Sequence, residues 1–270
     1  MPALTEGHFK LTTTILPDLF QSVLQRPDDD APRLAYADAC AVAGDHERAE
    51  FIRLQLDTTT RMRVGRDDAW ELDGRARSLL DVHRDAWAKA IGARVEWCGF
   101  YRGFVEAIQL DAAKFLACAD ELYQLAPIRR LILTDVSPVV DALFSSPHLA
   151  RIVSLSVARQ GLGDRGVELL ANSPYLGKLA SLDLRWNGVT LNGIEAMAAS
   201  SKLPALISVS LWGNPASSAS EAVGVDGVDG RTLFPHSSED GSNIEAKYGR
   251  KRWLHTVEDH GRRELNEAEL

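Results

Sequence analysis

Between Ile152 and Pro215 one short phrase occurs three times: Ile152-Val-Ser-Leu-Ser-Val, Leu179-Ala-Ser-Leu-Asp-Leu and Leu206-Ile-Ser-Val-Ser-Leu. Leu155/Val157, Leu182/Leu184 and Val209/Leu211 are the same two apolar positions, spaced 27 residues apart. Two apolar residues separated by one polar residue read as a half-buried strand. A strand this short cannot bury its apolar face alone, so the units must stack on one another. A fixed period in the twenties therefore makes each unit one strand and one return segment.

Other positions keep the same register. Five residues after Leu155, Leu182 and Val209 stand Gln160, Asn187 and Asn214. Leu162 and Val189 follow as the next inward positions, then Gly166 and Gly193. Val167-Glu-Leu-Leu-Ala and Ile194-Glu-Ala-Met-Ala carry apolar residues at helical spacing. The whole pattern resembles a leucine-rich repeat of the ribonuclease-inhibitor type, with a full helix outside each strand. That resemblance implies that the amide position hydrogen-bonds backbone groups at the turn leaving each strand, where buried donors need partners. Two weaker units precede these, with Leu131/Leu133 24 residues before the first strong unit and Ile108/Leu110 a further 23 before that. The expected fold class is α/β: a leucine-rich-repeat solenoid of five parallel strands on a concave face with helices outside, preceded by a small all-helical domain. Chance spacing in an ordinary α/β domain is the alternative, and six or more coincident positions weigh against it.

The N-terminal part reads as helices. Ile15, Leu16, Leu19, Phe20, Val23 and Leu24 form a stripe over 12–26, broken by Arg26-Pro-Asp-Asp-Asp-Ala-Pro32. A second helix starts at Arg33 and ends at Gly44-Asp45, and a third starts at His46 with Ala49, Phe51, Ile52, Leu54 and Leu56 inward. The aspartate triplet Asp28–Asp30 reads as a helix cap and dipole complement rather than as metal ligands. Pro27-Asp-Asp-Asp-Ala-Pro-Arg-Leu-Ala-Tyr-Ala-Asp, the Gly44-Asp45 break and Ala49-Glu-Phe-Ile-Arg-Leu-Gln together resemble the bacterial "repeat-companion" domain over residues 15 to 57. Such domains often precede leucine-rich repeats, and the resemblance implies no enzymatic activity. This chain departs from the family at Ala39 and Cys40, where a Trp and a Leu are usual. The lost Trp leaves less apolar area to bury in that corner.

The expected organisation is a helical repeat-companion domain over 12–57, a helical connector and N-terminal cap over 58–100, the solenoid over 101–215, and a linker with a C-terminal cap or tail over 216–270. Trp70, Leu72, Leu79, Leu80, Val82, Trp87 and Ile91 are the expected buried members of the connector. The aromatic block Trp97–Phe104 is expected to cover the open end of the sheet. Phe115, Leu116, Ala119, Leu122 and Leu125 predict a helix on the outer face. After Pro215 the period stops. Ala216–Gly230 reads as a linker, Arg231–His236 as a return to the last strand, and Tyr248, Trp253 and Leu254 as closing residues.

Composition narrows the function classes. A net charge of −8 and a pI near 5.4 argue against a nucleic-acid footprint. Cys40, Cys98 and Cys118 lie far apart without a paired motif, as suits reduced thiols, and no signal peptide or membrane span is visible. A cytoplasmic protein with no nucleic-acid or membrane partner is expected. No phosphate loop, zinc-protease or nucleophile-elbow motif is present. His255 and His260 on a polar tail read as solvated side chains, and Arg250-Lys-Arg252 as a solvated basic turn. No catalytic, cofactor or metal residue is expected.

The concave face carries the sharper hypothesis. With the paired apolar positions inside, alternation places Ser156, Asp183 and Ser210, then Ala158, Arg185 and Trp212, on the open side. Trp186 stands beside Arg185. Trp and Arg dominate binding hot spots, so Asp183, Arg185, Trp186 and Trp212 form the candidate partner-binding patch. In the alternative, the chain after Pro215 covers both tryptophans. The expected function is a non-catalytic protein-interaction module, a scaffold or adaptor. A recognition subunit of a bacterial signalling or defence system, or a hydrolase with an unrecognised site, remain alternatives.

Overall fold

The computed structural model describes residues 6–63, 69–216 and 239–254. The linker and return expected after Ala216, the His255/His260 pair and the Trp70 and Leu254 side chains lie outside the described set. The chain is mixed α/β and divides into two compact units, Met1–Ala107 with Glu121–Ile128, and Ile108–Asp120 with Arg129–Leu270.

The first unit contains four helices: α1 (Glu6–Gln25), α2 (Ala31–Val42), α3 (His46–Arg63) and α4 (Ala69–Gly92). The turn between α1 and α2 is closed by Asp29, whose carboxylate accepts the Ala31 N–H at 2.9 Å. Asp30 makes no side-chain cap. Its carboxylate instead accepts from the Arg102 guanidinium at 3.0 Å, so Asp29 serves the turn and Asp30 an ion pair. Asp45 starts α3 by accepting the Arg48 N–H at 3.1 Å. Val23, Ala37, Cys40, Ala49, Ile52, Leu56 and Phe104 form one core cluster of this unit, and Phe104 meets Tyr36 edge-on at 5.3 Å.

In α4, Leu79 and Ile91 are buried while Leu72, Leu80 and Trp87 are half-buried. Val82 is the exception to the expected set, at 76% exposure. The buried stripe advances through residues 79, 83, 87 and 91, each four-residue step turning about 40° beyond a full circle. Val82 falls off its trailing side.

The aromatic block forms a strand, β1 (Trp97–Tyr101), followed by β2 (Phe104–Asp111). Arg102 and Gly103 between them have φ of 50° and 87°, the two left-handed residues of a tight hairpin turn, so these strands run antiparallel. Glu106 on β2 pairs with Arg33 of α2 at 2.6 Å, with side chains 4% and 0% exposed. Arg33 also donates to the Arg102 and Pro27 carbonyls, each at 3.0 Å.

The helix α5 (Ala112–Leu125) follows, with Phe115, Ala119 and Leu122 buried. Four parallel strands come next: β3 (Arg130–Thr134), β4 (Ser154–Ser156), β5 (Ser181–Asp183) and β6 (Ser208–Ser210). Helices α6 (Val140–Phe144), α7 (Gly163–Asn172) and α8 (Leu191–Ala199) alternate with them. The sheet has six strands in the order β1-β2-β3-β4-β5-β6, one more than the spacing alone predicts. The register aligns Leu131, Leu155, Leu182 and Val209, the residues that the period places together. Backbone pairing outruns the formal strands: Arg159 N–H donates to Arg185 O at 2.8 Å and Trp186 N–H to Trp212 O at 3.0 Å.

Within the second unit, successive helical segments are tied to one another as well. Asp164 of α7 accepts from Thr190 N, Gly193 N and the Thr190 hydroxyl, at 2.7, 3.1 and 2.6 Å, fastening the start of the next helix. Gly193 is required there: a Cβ would lie 2.7 Å from both the Asp164 carboxylate and a Val189 methyl. Helix α9 (Glu239–Tyr248) lies beside α8, with Lys247 and Tyr248 both reaching Glu195. Ile244 and Trp253 are buried, Trp253 in a short 3-10 turn that packs on β6.

Candidate functional site

The strand exits are built by the amides. Asn187 Oδ1 accepts the backbone N–H groups of Gln160 and Leu162 at 3.0 and 3.3 Å, and its Nδ2 donates to the Val157 and Leu184 carbonyls, both at 2.9 Å. Asn214 repeats the pattern one unit on, accepting from Asn187 N and Val189 N and donating to Leu184 O and Leu211 O. Gln160 does the same with a longer arm, accepting from Val136 N and donating to Ala158 O. Both asparagines are 2% exposed. Each amide thus replaces the ladder bonds that the backbone loses as it turns away from the strand.

One residue before each amide the backbone is left-handed. Arg159, Trp186 and Gly213 have φ of 60°, 57° and 73°, and Asp135, at the same position in the β3 unit, has 48°. For a non-glycine residue this conformation costs about 1–2 kcal/mol. Only Gly213 signals it in the sequence. The register would have found the row, because these residues stand four after Leu131, Leu155, Leu182 and Val209.

The four residues singled out from the sequence come together here. Trp186 and Trp212 are each 43% exposed and touch edge to face, with ring centroids 4.7 Å apart and an interplanar angle of 82°. Trp186 lies over the Gly213 backbone: a Cβ on Gly213 would come within 2.3 Å of its ring. Asp183 grips Arg185 through two hydrogen bonds, Nε to Oδ1 at 3.0 Å and Nη2 to Oδ2 at 2.9 Å. It also accepts from the Ser156 hydroxyl at 3.0 Å. Arg185 is thereby held in one orientation with its charge balanced. Arg159 is an addition that alternation along the strand did not reveal. Its guanidinium stands 5.9 Å from the Trp186 ring centroid.

This arrangement holds an apolar, aromatic edge beside fixed polar groups, the composition of a binding hot spot. Among the described residues no group of three or more His, Cys, Asp or Glu is placed to hold a metal ion. No helix among them is long and apolar enough to cross a membrane. Burial pushes the Cys40 thiol up to about 11 and raises that of Cys98 as well, which keeps these two thiols protonated near neutral pH. Compared with known proteins, the chain matches no family model, no curated protein and no solved structure.

Proposed function

We propose that the chain is a non-catalytic protein-interaction module: a short leucine-rich-repeat solenoid, joined to an N-terminal repeat-companion domain, that holds a partner protein on its strand face. The 27-residue register of β4, β5 and β6 and the amides at each strand exit support the repeat reading. The binding reading rests on the exposed Trp186–Trp212 pair. A tryptophan side chain presents roughly 250 Å², so 43% exposure of each leaves about 200 Å² of mostly apolar surface in water. Covering it is worth about 5 kcal/mol at ~25 cal/mol/Å², enough to anchor an interface.

The test begins with affinity capture using the full chain, followed by calorimetry with the purified partner. Trp186→Ser/Trp212→Ser should melt like the wild type and lose at least about thirtyfold in affinity, the range for truncating a hot spot. Equal affinity for wild type and variant would overturn the assignment of this face.

A further inference from the structure

The row of left-handed residues carries a charge pattern as well as a shape. Across the strands it reads Asp135, Arg159, Trp186, Gly213. Asp135 and Arg159 are exposed, and among the described residues neither forms an ion pair. Arg185, in contrast, is already balanced by Asp183. The patch therefore offers a cation over the face of an exposed ring, with a second ring against it and an acid one strand further on. Beside this row the strands present small residues: Ser154, Ser156, Ala158, Ser181, Ser208 and Ser210, all half-buried. Such a floor admits close approach of a polypeptide backbone and supplies hydroxyls to hydrogen-bond it.

From this geometry we infer that the occupant is an extended segment of a partner protein in which an Asp or Glu lies within two residues of a proline or aromatic side chain. The inference rests on the protein-binding reading of the same face. Neighbouring strands are about 4.8 Å apart, and an extended chain advances about 3.3 Å per residue. One step along the row thus matches one to two residues of the ligand. The carboxylate meets the Arg159 guanidinium, and the proline or aromatic ring lies on Trp186 and Trp212, whose flat apolar surfaces suit both. A nucleic acid fits poorly, because its affinity comes from neutralising many phosphates, and this row offers Arg159 beside an acid on a chain of net charge −8.

The probe is a phage-displayed library of linear random dodecapeptides, panned on the full chain, on Arg159→Glu and on Trp186→Ser/Trp212→Ser, with matching melting curves as the folding control. Wild type should enrich sequences pairing Asp or Glu with Pro, Phe, Tyr or Trp. A selected peptide should bind Arg159→Glu about tenfold more weakly, as expected for one charge-assisted hydrogen bond, and panning on that variant should enrich Lys or Arg instead. The tryptophan variant should enrich nothing. A wild-type pool without acidic enrichment, an unchanged motif on Arg159→Glu, or no pool above the tryptophan variant would each overturn the inference. The partner-capture experiment decides the protein-binding reading separately: a partner lost in the tryptophan variant but indifferent to Arg159→Glu leaves that reading standing and removes the acidic segment.

Discussion

Replacing Asn187 with leucine tests the repeat at its most connected point. The two side chains share a branched shape, so the change removes the hydrogen bonds while keeping the branch point, although the bulkier leucine adds some crowding at this buried site. The Asn187 amide serves Gln160 N, Leu162 N, Val157 O, Leu184 O and Arg185 O. Leu184 O keeps a second donor, the Asn214 side chain at 2.9 Å, and Arg185 O keeps Arg159 N at 2.8 Å. Three backbone groups therefore lose their partner at a position 2% exposed. An unsatisfied buried group costs ~1–3 kcal/mol, and partial relaxation makes the three less than additive, so we expect a loss of about 3–6 kcal/mol. Against a total stability of roughly 5–15 kcal/mol, that is a large fraction. Urea unfolding followed by far-UV circular dichroism reads it directly. Gln160→Leu, which breaks one bond to Val136 N and one to Ala158 O at a half-buried site, should lose less. Asn172→Ala, at an exposed helix end, should change stability by under about 0.5 kcal/mol. An Asn187→Leu loss no larger than that of Asn172→Ala would refute the claim that these amides hold the strand exits.

Three further outcomes are expected. Glu106→Gln leaves the Arg33 charge buried with its ion pair broken, so the variant should lose about 3–5 kcal/mol; an unchanged denaturation midpoint would show that the pair adds nothing to the unit. Gly213→Ala places a methyl 2.3 Å from the Trp186 ring at a φ of 73°. It should abolish the coupled Trp–Trp signal in circular dichroism and destabilise by about 1–2 kcal/mol, and a retained signal would contradict the ring placement. At pH 8 a maleimide should label Cys118, the half-exposed thiol, far faster than Cys40 or Cys98. The Cys40 thiol, held up to about 11 by burial, is almost wholly protonated there and its labelling should rise only as the pH climbs toward that value; mass spectrometry showing Cys40 modified first would refute this.

The period by itself determined the parallel register of β4, β5 and β6. Once pairs such as Leu155/Val157 and Leu182/Leu184 must share one core, a slip of one residue would turn every inward leucine outward. The same spacing located the amide positions, because a chain leaving a buried strand needs side-chain partners at a constant point. It also located Trp186 and Trp212 near each other, although not their contact. Local pattern did not reveal the row from Asp135 to Gly213. An acid, a base, a tryptophan and a glycine share no chemistry, and their common left-handed backbone follows from the amide ladder gripping the next residue in the three later units. The strand at Trp97–Tyr101 escaped the repeat reading because its pairing comes from a hairpin turn, not from the period. Val82 escaped because a helical stripe drifts around its axis, and only packing shows which side of the stripe is covered. Tertiary structure alone set Trp186 over Gly213 and Arg159 over Trp186, because those contacts join neighbouring units through side chains that the backbone conformation, rather than residue type, aims at one another.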